Sequence, residues 1–132
     1  MASRGTSTRK PVSERTSRAL AIARREARAQ VSSGHLLLGA LHPDGGGIKI
    51  DADLDELREH VAKLTDGPSD PHVRLSDRVK RVLTEHRSIR DVVTALLDDP
   101  ESTASRALAR AGVDPALLRG KTDKVSRELK YR

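Results

Sequence analysis

The residues with chemistry to offer are five histidines and a scatter of carboxylates and hydroxyls. His35, His42, His60, His72 and His86 would make a metal site if two stood one helical turn apart, as in H-x-x-x-H or H-E-x-x-H. That spacing puts two imidazoles on one helix face. No pair here has it. Cysteine is absent, which excludes disulfides, Cys-based zinc sites and thiol nucleophiles. His35 reads as a structural residue at a helix N-terminus. Asp51, Asp53, Asp55, Glu56 and Glu59 gather around a helix start, where the dipole favours carboxylates; their other use is as a docking surface for a basic partner. Asp98, Asp99 and Glu101 fit a turn into a helix in the same way. The hydroxyls fall at cap and loop positions, so no Ser/His/Asp combination assembles. The run Asp44-Gly45-Gly46-Gly47 lacks the G-K-[ST] half of a phosphate loop. The expectation is a non-enzymatic protein with no metal and no cofactor.

The elements that must position these residues are helices. Ser13 caps the first, with Glu14 in its opening turn. Thr16, Ala19, Leu20, Ala23 and Ala27 then form one apolar stripe, to about Gln30. Ser32-Ser33-Gly34 breaks that helix and starts His35-Leu36-Leu37-Leu38-Gly39-Ala40-Leu41, which is apolar on most sides like a centrally buried helix. Pro43 and the glycine run stop it, and Ile48-Lys49-Ile50 reads as an extended connector. Asp53 opens a third helix carrying Leu54, Leu57, Val61 and Leu64. Thr65 to His72 is a linker with two prolines. Ser76 caps a helix with Val79, Val82 and Leu83. Ile89, Val92, Val93, Leu96 and Leu97 form the cleanest amphipathic stretch. Ala104, Ala107, Leu108 and Ala111 mark a helix ended by Gly112, and Asp114-Pro115 starts a last one. The fold class is therefore all-α: a compact bundle of seven or eight short helices with essentially no sheet.

The chain has 132 residues, one domain's worth, with 25 Lys+Arg against 19 Asp+Glu and a net charge of +6. The excess sits mainly in the two ends, residues 1–12 (a disordered basic leader) and 120–132 (a basic tail or helix extension), rather than on a binding face. Tyr131 is the sole aromatic, so the core is aliphatic and its stability modest. No signal peptide or apolar span of membrane length occurs. A monomeric cytoplasmic protein without membrane contact is expected.

The order of motifs also repeats. Ser13-Glu14-Arg15-Thr16-Ser17-Arg18-Ala19-Leu20 answers to Ser76-Asp77-Arg78-Val79-Lys80-Arg81-Val82-Leu83; Leu36–Leu41 answers to Val92–Leu97; Ala52–Arg58 answers to Val113–Arg119. Over residues 13–119 this pattern resembles the Clp N-terminal domain, two Clp repeats in pseudo-twofold tandem. Its most specific part is SERTSRALAIARREAR followed by GHLLLGAL. Repeat one is read as 13–64, a linker as 65–74 and repeat two as 75–119.

The resemblance implies an eight-helix, non-catalytic module that receives proteins or peptides for a Clp ATPase, here freestanding without the AAA+ motor. It implies an adaptor, a regulator, or a decoy capturing ligands of the true unfoldase. The expected partners are a Clp ATPase, its substrates or a peptide ligand of its N-domain. The expected contact residues lie at the two helix starts, Ser13, Glu14, Arg15 and Arg18 in one and Ser76, Asp77, Arg78 and Arg81 in the other. Family repeats usually read T-E-H-L-L-L, with an acid that meets basic groups, including phosphoarginine in some members. Gly34 stands at that place in repeat one and Arg90-Asp91 precede Val92 in repeat two, so no phosphoarginine site is carried over. Repeat one also has GGGIKIDA where the family's third helix is expected. The rival reading is a helix-turn-helix over 104–120, with Arg106, Arg110, Arg119 and Lys121 on phosphates. The apolar Ala116, Leu117 and Leu118 and the nearby acids make nucleic acid the weaker partner.

Overall fold

A computed structural model describes residues 12–48, 52–65 and 73–114. Among them are six helices: α1 (Glu14–Glu26), α2 (Ser33–Leu41), α3 (Leu54–Leu64), α4 (Asp77–Glu85), α5 (Ile89–Asp98) and α6 (Thr103–Arg110). Most of the leader, connector and linker, the helix expected from Asp114-Pro115 and the basic tail 120–132 lie outside the described residues. The fold is all-α, as the periodicities require.

Each of the six helices begins the same way. Ser13, Ser32, Asp53, Ser76, Ser88 and Ser102 hold extended backbone at the N-cap, and each side-chain oxygen accepts a first-turn N–H. Such a cap satisfies one of four otherwise unpaired donors and stabilises a helix by about 1 kcal/mol. For helices of 8 to 13 residues, too short to be stable alone, that local term matters, but packing must supply the rest.

The packing centres on α2. Every residue from Ser33 to Leu41 is buried, and α2 touches each of the other five described helices. α5 presents Ile89, Val92, Val93, Leu96 and Leu97, all buried, each stabilising the fold by about 1.5–3 kcal/mol relative to exposure. α1 ends at Glu26, a turn earlier than the stripe suggests, because Ala27 turns extended. It buries Thr16, Ala19, Ile22 and Ala23, while Leu20 and Ala27 are half-buried. α6 closes with Gly112 at φ +80. Val113 N–H donates to Leu108 C=O (2.8 Å) and Gly112 N–H to Ala109 C=O (3.1 Å), the paired bonds of a glycine-terminated helix.

The glycine run has a structural explanation. It folds back on the end of α2, where Gly46 N–H donates to Gly39 C=O (3.0 Å) and Ile48 N–H to Ala40 C=O (3.1 Å). A Cβ on Gly45 or Gly46 would lie 2.2 or 2.4 Å from those same carbonyl oxygens. Side chains are excluded there because the loop's backbone must reach the helix end.

Two short strands, β1 (Gln30–Val31) and β2 (Arg74–Leu75), pair in parallel, Gln30 with Arg74 and Val31 with Leu75. The periodicity gives no hint of this contact, and Arg74 lies in the stretch read as linker. It ties the approach to α2 to the approach to α4.

Candidate functional site

The two helix starts expected to meet a partner are built alike. Ser13 Oγ accepts from Thr16 N–H and Ser76 Oγ from Val79 N–H, both at 3.2 Å. Each start is then held by the other half of the molecule. Ser13 N–H donates to Arg87 C=O (2.9 Å), and Ser76 N–H donates to Val31 C=O (3.0 Å). Arg87 and Val31 are the residues just before the caps of α5 and α2. The bonds are therefore reciprocal, as a pseudo-twofold arrangement demands. Thr16 adds one more, its buried hydroxyl donating to Arg87 C=O (2.9 Å); Val79 in the other half has no hydroxyl.

The eight expected contact residues thus divide. Ser13 and Ser76 are half-buried caps. Arg78 pairs with Asp99 at 2.6 Å. Asp99 also accepts Glu101 N–H (2.9 Å), and that bond, with Arg78, holds its carboxyl below the usual range. Glu14 and Arg18 form an exposed i,i+4 pair, a kind that contributes little to stability. Arg15, Asp77 and Arg81 are exposed, leaving five charged side chains available at the two edges.

Gly34, where Clp repeats carry an acid, is buried where α2 meets α3 and α6. A Cβ there would lie 2.8 Å from Thr103 Cγ2 and 3.1 Å from both methyls of Val61. Ser33 beside it accepts the N–H of Ala104 in the first turn of α6 (3.0 Å). The first turn of α2 is therefore packed against other helices and presents no acid outward.

His35 completes that turn. Its Nδ1 accepts Ser32 N–H (3.0 Å) while Ser32 Oγ accepts His35 N–H (3.3 Å). This is a capping box with histidine in the place usually held by Glu or Gln. Burial pushes the His35 imidazolium pKa down, against a smaller upward pull from Glu26. The structural role expected of His35 is the one it has. Of the other histidines, His60 reaches toward Glu56 (3.7 Å) with its Nδ1 buried and unpartnered. Among the described residues no three His, Cys, Asp or Glu side chains gather as metal ligands, and no helix is long and apolar enough to cross a membrane.

One feature escapes sequence reasoning. Where the end of α1, β1, the first turn of α2 and the last turns of α3 face one another, a cleft of about 640 Å³ opens. That volume is in the range of ligand sites. Leu38, Val61 and Leu64 form its apolar part, and Arg28, Arg58, Lys63 and Glu26 its charged part. Arg58 Nε donates to Glu26 (2.8 Å) and its Nη1 to Asp55 (2.5 Å), so the guanidinium is held charged, chiefly by Glu26. No local pattern signals this cleft, because its walls come from segments distant in the chain.

No family model matches the sequence, and no curated protein matches it. Among solved structures the chain is similar to the N-terminal domain of the caseinolytic-protease-associated chaperone ClpD from Arabidopsis thaliana. The likeness has 22% sequence identity and a TM-score of 0.72 over 93% of this chain and 99% of that one. With its reciprocal helix starts and central buried helix, this all-α chain has the fold of a Clp N-terminal domain.

Proposed function

We propose that the chain is a non-catalytic protein- or peptide-binding module of a Clp ATPase–protease system in the cytoplasm, acting as adaptor, regulator or ligand-capturing decoy. The observation that carries this reading is the likeness in fold to the N-terminal domain of a Clp-associated chaperone across nearly the whole chain. The partner meets the two exposed edges at Ser13–Arg18 and Ser76–Arg81. There Glu14, Arg15, Arg18, Asp77 and Arg81 offer mixed charge on backbones fixed by the reciprocal bonds, and rim charges of this kind steer association.

The test is a pull-down with the tagged protein. Clp ATPase or protease subunits are recovered, and the double charge reversal Arg15→Glu/Arg81→Glu weakens the recovery without changing the circular dichroism. Retention of duplex DNA with affinity falling steeply as salt rises, and no Clp subunit recovered, overturns the proposal in favour of the helix-turn-helix over 104–120. The first helix of that motif, α6, is described; its second lies outside the described residues. On α6, Ala104, Ala107 and Leu108 are buried and Arg106 and Arg110 exposed.

A further inference from the structure

The cleft beside β1 has three properties that together specify a ligand. The first is an open strand edge. Arg74 N–H donates to Ala29 C=O and Ser76 N–H to Val31 C=O. In a parallel ladder this alternation turns the N–H and C=O of Gln30 to the side away from β2. Gln30 is exposed and lines the cleft, so an extended chain entering there finds a main-chain donor and acceptor at the strand edge.

The second property is uncommitted positive charge. Among the described residues three cations line the cleft against one anion. Arg58 is occupied by Glu26 and Asp55, whereas Arg28 and Lys63 are exposed and have no ion pair among the described residues. His35 adds a donor: its Nδ1 accepts Ser32 N–H, which leaves the proton of the neutral ring on Nε2. Glu26 in the same wall favours a single negative charge over a dianion such as phosphate. The third property is the apolar part, Leu38, Val61 and Leu64, which an aliphatic side chain would cover.

We infer that this cleft binds the C-terminal end of a peptide, its free carboxylate between Arg28 and Lys63, its main chain along Gln30 and an aliphatic last side chain against Leu38, Val61 and Leu64. The inference rests on the peptide-binding reading above but assigns it a second surface, away from the Ser13 and Ser76 edges.

The test titrates the full chain with acetyl-Gly-Ala-Leu as the free acid and as the C-terminal amide, read by calorimetry and amide NMR. The free acid binds and shifts the Gln30 and Ser32 amides, and the amide binds at least about tenfold more weakly, the effect of losing a charge-assisted bond. Arg28→Gln/Lys63→Gln lowers the affinity for the acid to that for the amide. Both side chains are exposed, so the variant keeps its circular dichroism and melting temperature. Equal affinity for acid and amide, no binding of either, shifts centred on Ser13 and Ser76, or undiminished binding by the variant overturns the inference. If the peptides fail while Clp subunits are still recovered, this cleft assignment alone is wrong. If the peptides bind and no Clp subunit is recovered, it is the wider reading that fails.

Discussion

Gly39 and Ala95 occupy corresponding turns of α2 and α5, six residues into each helix (39 − 33 and 95 − 89). A Cβ on Gly39 would lie 2.0 Å from the carbonyl oxygen of Ala19, so α1 and α2 touch backbone to backbone. Ala95 keeps its methyl and is half-buried. The same contrast recurs at the helix starts. Gly34 is sealed against Thr103 and Val61 while Arg90, its counterpart, is half-exposed. His35 closes a capping box, while Asp91 donates its N–H to Ser88 Oγ with its side chain exposed. The first half carries the tight, buried version of each feature and the second half the open one. Repeated topology fixes where the helices lie, and the choice of a single small residue fixes how close they come.

That contrast can be broken in order of severity. Gly39→Ala forces α1 from α2 and destabilises by about 4 kcal/mol, whereas Ala95→Gly costs about 1 kcal/mol through helix propensity alone. Urea midpoints measure both, and equal losses would show that the two helix pairs are equally close. Gly34→Glu, which places an acid where Clp repeats carry one, drives a charged side chain into Thr103 and Val61 at a cost of about 3 kcal/mol. Arg90→Glu, in the first turn of α5, changes stability by less than about 0.5 kcal/mol, because the dipole there favours an acid. A folded Gly34→Glu protein with wild-type melting temperature would sink the packing argument.

Protonation separates the halves next. His35 has its folded pKa below the ordinary 6.5, so the unfolded chain binds the proton more readily. The neutral-state stability is complete above pH 6.5 and is lost as pH falls from there through the folded pKa. Melting temperature should therefore decline on acidification through this window, and His35→Gln, whose amide oxygen can still close the box, should flatten the decline. An unchanged slope in that variant would assign the loss elsewhere.

The smallest expected effect tests the symmetry itself. Thr16→Val removes one bond to Arg87 C=O and costs about 1 kcal/mol, since Ser13 N–H still donates to that oxygen. Val79→Thr, if the reciprocity is close, gains the matching bond to Val31 C=O and costs less than about 1 kcal/mol. A loss well above that, measured by thermal denaturation, would mean the two starts are not geometrically equivalent.

Legibility in the sequence follows the range of the interaction. Ser13, Ser76 and Asp53 were readable as caps because a cap bonds only to residues two or three positions on. The α5 stripe was readable because a buried face recurs every helical turn. The reading overran α1 by a turn because Ala27 continues the stripe while its backbone has already turned extended. The candidate edges were readable as repeated motifs, but their division into half-buried caps and exposed charges was not. Arg78 is committed to Asp99 and Ser13 to Arg87, partners that no spacing rule links.

The sequence by itself therefore determined the all-α class, the starts at Ser13, Ser32, Asp53 and Ser76, the central aliphatic helix and the repeated order, each written in neighbours within a turn or two or in the recurrence of such local patterns. Only the tertiary structure decided the β1–β2 pairing, the sealing of Gly34, the lowered pKa of His35 and the cleft lined by Arg28 and Lys63. Each of these depends on which distant segments the packed core brings together, and side-chain types in a row carry no record of that.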